Sequence, residues 1–282
     1  MTAAALPSDS AATCAPGGEI AASDDADARR FGGIARLYGA SGFARIRAAH
    51  AVVVGIGGVG SWAAESLARS GIGRLTLIDL DVVAESNLNR QAHATLANLG
   101  RNKVDAMQER VASFAPDCAV TLVDDFVTPD NVAVLIPADA SFVIDAIDQV
   151  RAKAALIVHC RRLGIPLVTT GGAGGKSDPA MIRVDDLART TQDPLAAKLR
   201  AALRRDHGFA RDPRRKFGID CVYSLEPVRR PEAAACDVDE VNEGLHGLNC
   251  AGYGSSVCVT AGFGFAAASR VLARCAQLME AQ

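Results

Sequence analysis

The sequence predicts an α/β protein with a mostly parallel central sheet, helices on both faces and added antiparallel strands at the C-terminal side. Five apolar runs alternate with helical segments between residues 50 and 170. These runs are nearly continuous rather than alternating, as expected of parallel strands covered on both faces. At 282 residues, 49% hydrophobic and net charge −2, the chain can bury a large core and is neither disordered nor broadly basic. Any nucleic-acid contact must therefore come from a local patch.

In chain order, residues 1–28 are rich in Ala, Ser and Asp and read as a disordered tail. They lack the basic region and apolar run of a signal peptide, so a cytoplasmic setting is expected. Residues 29–282 are expected to form a single domain. Its strands are "HAVVVG", "RLTLID", "AVTLVDD", "SFVIDAI" and "IPLVTT"; its helices include "RNKVDAMQERVASF" and "VRAKAALIVHCRRLG". After Thr170, "GGAGGKSDPAMIRVDDL" predicts a turn into a further strand, followed by the helix "DPLAAKLRAALRRDHG". No charged residue lies between Glu243 and Arg270, a stretch long enough to span a membrane. Its many Gly and Ser residues, with His246 and Asn249, instead predict a loop running into a buried helix.

The first strand runs into "VGIGGVGSWAAESLARSGIG", where Gly55, Gly57 and Gly60 form G-x-G-x-x-G ahead of a helix. Two glycines let the backbone bend towards a ligand, and the third lets helix and strand pack closely. Asp79 closes the next strand, where a carboxylate accepts hydrogen bonds from ribose hydroxyls. Gly58 and Asp81 belong to the same candidate nucleotide site. Taken alone, this Rossmann-like signature favours a nicotinamide or flavin enzyme.

The residues that follow shift the balance. Asn87, Arg90 and Gln91 lie just beyond the second strand, and Lys103 opens a helix. A helix N-terminus, worth about half a positive charge, often suffices for a dinucleotide pyrophosphate. Expelling pyrophosphate from ATP calls for full cations. Each, about 4 Å from a phosphate oxygen, is worth up to about 4 kcal/mol at an effective dielectric near 20. Asp145 and Asp148 end the fourth strand, at the edge where open sheets bind ligands. Asp148 suits Mg²⁺ on a triphosphate, orientation of the attacking group, or a helix N-cap, and these roles are compatible.

"LIDLD", "NLNRQ", "GRNK" and "DAID", following the glycine turn in this order and spacing, resemble the ubiquitin-activating-enzyme-like family of adenylating enzymes. The resemblance implies that ATP adenylates a carboxylate and releases pyrophosphate. It assigns Asp79 to the ribose, Asn87 and Arg90 to the phosphates, Lys103 to the polyphosphate and Asp148 to Mg²⁺. "RFGGIARLYG", "DDFVTPDNVA", "IPLVTTGGAGG", "QDPLAAKLR" and "FGFAAAS" are similar to its tRNA threonylcarbamoyladenosine dehydratase branch. That branch implies a homodimer that uses ATP to cyclise N6-threonylcarbamoyladenosine in tRNA. Where sulfur-carrier activators place an arginine that reaches the partner's ATP site, this chain has Gly33, leaving Arg30 or Arg36 to substitute. The paired C-x-x-C motifs with which such activators hold zinc are missing, so no zinc is expected. Activation of a sulfur-carrier C-terminus is the alternative, with a cysteine desulfurase or sulfur acceptor as partner.

Lys198, Arg200, Arg204, Arg205, Arg211, Arg214, Arg215 and Lys216 face only two acids in their segment and form a candidate tRNA-backbone patch. An acidic carrier protein would also fit it, and so would a merely solvated face. Cys236 and Cys250 are the candidates for a covalent relay, although the acids around Cys236 disfavour a thiolate. Cys221, Cys258 and Cys275 read as small apolar fillers. "TTGGAGGK" is expected to border the site, where its carbonyls suit a monovalent cation. An acidic loop is expected over residues 226–249.

Overall fold

The computed structural model describes residues 24–212, 214–229 and 253–277. Helix α1 (Asp24–Ala48) leads into β1 (His50–Val54), α2 (Gly60–Arg69) and β2 (Arg74–Ile78). Then come α3 (Lys103–Ala112), β3 (Ala119–Val123), the short α4 (Val132–Leu135), β4 (Phe142–Asp145), α5 (Val150–Leu163) and β5 (Leu167–Thr170). β6 (Ile182–Asp186), α6 (Pro194–Asp206), β7 (Asp220–Ser224) and α7 (Val257–Cys275) complete the order.

All five strands expected between residues 50 and 170 form. The sheet runs β3-β2-β1-β4-β5-β7-β6, and only β6, at one edge, is antiparallel. The C-terminal addition is thus one parallel and one antiparallel strand. Its apolar layers follow from strand alternation. Val53, Leu75, Leu77 and Ile144 face α2, α3 and α7. Val52, Val54, Ile78 and Val143 face α5 and α6. Side-chain caps set the ends of two helices: Asp193 accepts the Ala196 N–H of α6, and Ser256 accepts the Cys258 N–H of α7. Gly164, in the left-handed region at φ 70°, stops α5.

Two expectations change. Helix α1 takes in residues 24–28, expected as tail, since no Gly or Pro stops the helix from extending that far upstream. Cys258 is exposed rather than a filler, because at the second position of α7 it faces out while Val259 and Phe263 face in. Helix α7 is long and apolar enough to cross a membrane. It packs instead against α2 and the sheet, burying Val259, Phe263, Ala267 and Val271. The predicted tail up to residue 23, and residues 230–252 of the predicted acidic loop with Cys236, His246, Asn249 and Cys250, lie outside the described residues.

Candidate active site

Strand order reverses between β1 and β4, so the loops that leave their carboxyl ends diverge and open a cleft between them. The cleft holds about 580 Å³ and is lined by Gly55, Gly57, Gly58, Asp79, Asp81, Asn87, Arg90, Gln91, Lys103 and Asp148, all predicted from the sequence.

The glycine turn is built by contact. Gly55 has φ 85°, and a Cβ there would lie 2.9 Å from Ile147 Cγ2. A Cβ on Gly60 would lie 1.8 Å from the Gly55 carbonyl oxygen. Gly60 is therefore a packing residue and stays out of the cleft lining. Asp79 braces the turn from below: its carboxylate accepts the N–H of Ile56 at 2.5 Å and that of Asp81 at 2.9 Å. Burial pushes the Asp79 carboxyl above its ordinary range, against the pull of Lys103 and the two N–H donors.

The cations stand beside this turn, on the same wall as Asp79. Lys103, at the start of α3, is 6% exposed, and its ammonium donates to Asp81 at 2.6 Å. Asp81 thus holds Lys103 in place at the rim. The Arg90 guanidinium donates to the Ser86 carbonyl at 2.5 Å and to Asn89 Oδ1 at 2.9 Å. Trp62, the only tryptophan in the chain, donates its indole N–H to the Arg90 carbonyl at 2.8 Å and fixes the backbone there. Asn87 takes a structural part too, accepting the Ala84 N–H. Gln91 is 6% exposed, and its buried Oε1 has no hydrogen-bond partner among the described residues. Behind this wall sits His93, neither of whose ring nitrogens has a hydrogen-bond partner among the described residues. Burial, then Lys103 and Arg110, lower its pKa to about 4, so it stays neutral at neutral pH.

Across the cleft, Asp148 is half-buried and no described residue donates a hydrogen bond to its carboxylate. A carboxylate that lines the cleft without a hydrogen-bond donor among the described residues fits Mg²⁺, which binds through one or two carboxylates plus phosphate oxygens. Asp145 departs from its predicted role. It is fully buried under the cleft, paired with Lys153 at 3.0 Å and accepting from Thr169 Oγ1 at 2.6 Å. Lys153 also donates to the Ile147 carbonyl at 2.8 Å, so the pair shapes the turn that carries Asp148. "TTGGAGGK" does border the cleft, through Ala173 and Gly174. Its Lys176 turns inward to Asp193 at 3.7 Å. Phe126, Gln149, Ser255 and Thr260 also line the cleft. Phe126 lies in the "DDFVTPDNVA" stretch, but the sequence marks none of the four as a site residue, and only the fold brings them there.

Elsewhere the predicted patch divides. Arg200 is drawn inward to Thr190 Oγ1, and Arg204 donates to the Ala210 carbonyl while lying 5.3 Å from the Phe217 ring centroid. These two are structural. Lys198, Arg205, Arg211, Arg214, Arg215 and Lys216 are exposed. In α1, Arg30 is held by Asp117 at 2.5 Å, whereas Arg36 is exposed.

A family model described as the ThiF family matches residues 32–280. The chain belongs to the ThiF family. Among its members, it is 55% identical to the tRNA threonylcarbamoyladenosine dehydratase of Escherichia coli over 251 residues, covering 88% of this chain and 94% of that protein. The similarly named Haemophilus influenzae protein is 48% identical, covering 86% and 92%. The crystal structure of the Escherichia coli enzyme in complex with ATP matches with a TM-score of 0.81 at 51% identity, covering 92% of this chain and 98% of that one. The α/β fold and the family expected from the sequence are both borne out.

Proposed function

We propose that this ThiF-family chain is an ATP-dependent tRNA-modifying enzyme that dehydrates N6-threonylcarbamoyladenosine at tRNA position 37 to its cyclic form. The observation that carries this is the convergence of Arg90, Lys103 and Asp148 on one cleft, in a chain 55% identical to the Escherichia coli dehydratase.

ATP enters with its ribose on Asp79 and its phosphates against the glycine turn and the start of α2. The threonyl carboxylate attacks the α-phosphorus, the bond to the β,γ-unit breaks, and pyrophosphate leaves with an acyl-adenylate formed. Arg90 and Lys103 take up the charge that develops on the departing pyrophosphate. Mg²⁺, held by Asp148 and phosphate oxygens, would neutralise part of the same charge. An oxygen or nitrogen of the carbamoyl group then attacks the activated carbonyl, and AMP leaves as the ring closes. The attacking group belongs to the same molecule, so positioning supplies most of that step and no protein nucleophile is needed.

The reading extends to a cytoplasmic homodimer. The ion pair of Arg30 with Asp117 favours Arg36 over Arg30 as the arginine that would serve a second subunit. Incubating the protein with ATP, Mg²⁺ and tRNA bearing the modified nucleoside, then digesting for mass spectrometry, tests the function. The product nucleoside should be lighter by one water. Arg90→Ala should slow its formation about a hundredfold or more. An unchanged nucleoside with the wild-type protein defeats the proposal.

A further inference from the structure

Six exposed arginines, Arg161, Arg162, Arg205, Arg211, Arg214 and Arg215, lie on or just beyond the ends of α5 and α6. Helix α5 starts beside Asp148 and runs away from it for 14 residues, about 21 Å. Its last turn carries Arg161 and Arg162, and that of α6 carries Arg204 and Arg205. The loop after α6 returns at the same level. Phe217 and Gly218 donate their N–H groups to Asp186, which pairs in register with Asp220, the first residue of β7. All of these groups lie at the amino ends of the parallel strands, opposite the ATP cleft.

A rigid stack joins the two sources of charge. The Arg161 guanidinium lies 4.6 Å from the Phe209 ring centroid, Phe209 meets Phe217 edge-on at 4.9 Å, and Arg204 lies over Phe217. Arg211 and Arg215 are exposed and form no ion pair among the described residues. Arginines that only balanced the helix dipoles would stop at the last helical turn. Here the charge continues through the loop, in a chain whose net charge is −2.

We propose that this cationic end is a second contact for the tRNA, gripping backbone phosphates of a stem about 20 Å from the adenylation cleft. The proposal rests on the tRNA reading above. Duplex RNA is recognised largely through its backbone and shape, whereas the reacting base sits in a single-stranded loop and can be splayed into a cleft. A surface remote from the chemistry therefore supplies affinity, and the cleft supplies selectivity.

The test uses the full chain carrying Arg211→Glu and Arg215→Glu, with Arg211→Lys and Arg215→Lys as the charge-keeping control. Binding of full-length modified tRNA is measured against salt. The Glu pair should weaken binding about tenfold or more and reduce the log–log salt slope by about two. The Lys pair should keep both, and stabilisation by ATP should be the same in all three proteins. Unchanged tRNA affinity and slope in the Glu pair overturns the proposal, whether the patch is only solvated or serves an acidic protein. Failure of the dehydratase reading shows itself separately, as a wild-type protein that leaves the modified nucleoside intact.

Discussion

Gly57 and Gly60 stand on one turn and meet different demands. A Cβ on Gly60 would collide with the Gly55 carbonyl, a backbone atom that cannot swing away, whereas a Cβ on Gly57 would meet nothing within 4 Å. Gly60→Ala should therefore cost about 3 kcal/mol of stability. Gly57→Ala should leave the urea midpoint nearly unchanged, a difference within about 0.5 kcal/mol. Its methyl would instead occupy the space into which phosphate must come, weakening ATP binding about tenfold or more. Parallel urea titrations and ATP binding on the two variants check this, and equal loss of stability in both would refute the division. The spacing G-x-G-x-x-G made all three glycines visible in the sequence, but not which of them packs and which receives. The same limit governs Asp145 and Asp148. They bracket "DAID", yet Asp145 closes β4 and is held inward by Lys153, whereas Asp148 lies beyond the strand and lines the cleft.

At the scale of elements, the β4–α5 junction depends on a lysine with no surface exposure at all. Lys153 ties the Asp145 carboxylate to the carbonyl of Ile147, one residue before Asp148. Lys153→Met would strand Asp145 as an unpaired buried charge, at a cost of about 3–5 kcal/mol. Adding Asp145→Asn should recover part of that loss. Lys153→Arg keeps the charge but not the shape. It should stay folded while needing more Mg²⁺ for half-maximal ATP–pyrophosphate exchange. A wild-type Mg²⁺ dependence in Lys153→Arg would show that the pair supports the fold without positioning Asp148. Elements with long apolar runs were legible, including β1 to β5 and α5. β7 was not, because "DCVYS" has polar residues at both ends and follows a basic loop, and only its place between β5 and β6 makes it a strand. α1 was hidden by its glycines, and it breaks at Gly39, where φ is 75°.

For the molecule as a whole, ATP is expected to act as a bridge. Its cleft is walled on one side by the β1–β2–β3 half, with Asp79, Arg90 and Lys103, and on the other by the β4–α5 turn with Asp148. Unfolding must separate these walls, so a ligand that binds only their assembled form stabilises the entire domain. At a hundred times its dissociation constant, ATP with Mg²⁺ contributes about 2.7 kcal/mol. For a domain of this size, that corresponds to a rise in Tm of about 5–10 °C. NADH, which offers Arg90 and Lys103 a bridging diphosphate and no terminal triphosphate, should give no comparable rise at equal concentration. Arg90→Ala should melt close to wild type without nucleotide, since Arg90 is partly exposed, and should lose most of the ATP-dependent shift. Thermal melts of both proteins with ATP, ATP plus Mg²⁺, and NADH separate the possibilities. A shift with NADH that matches the shift with ATP would return the cleft to the dinucleotide class that its glycines alone suggest. A shift with ATP that survives Arg90→Ala would place the triphosphate's anchoring charge elsewhere in the cleft.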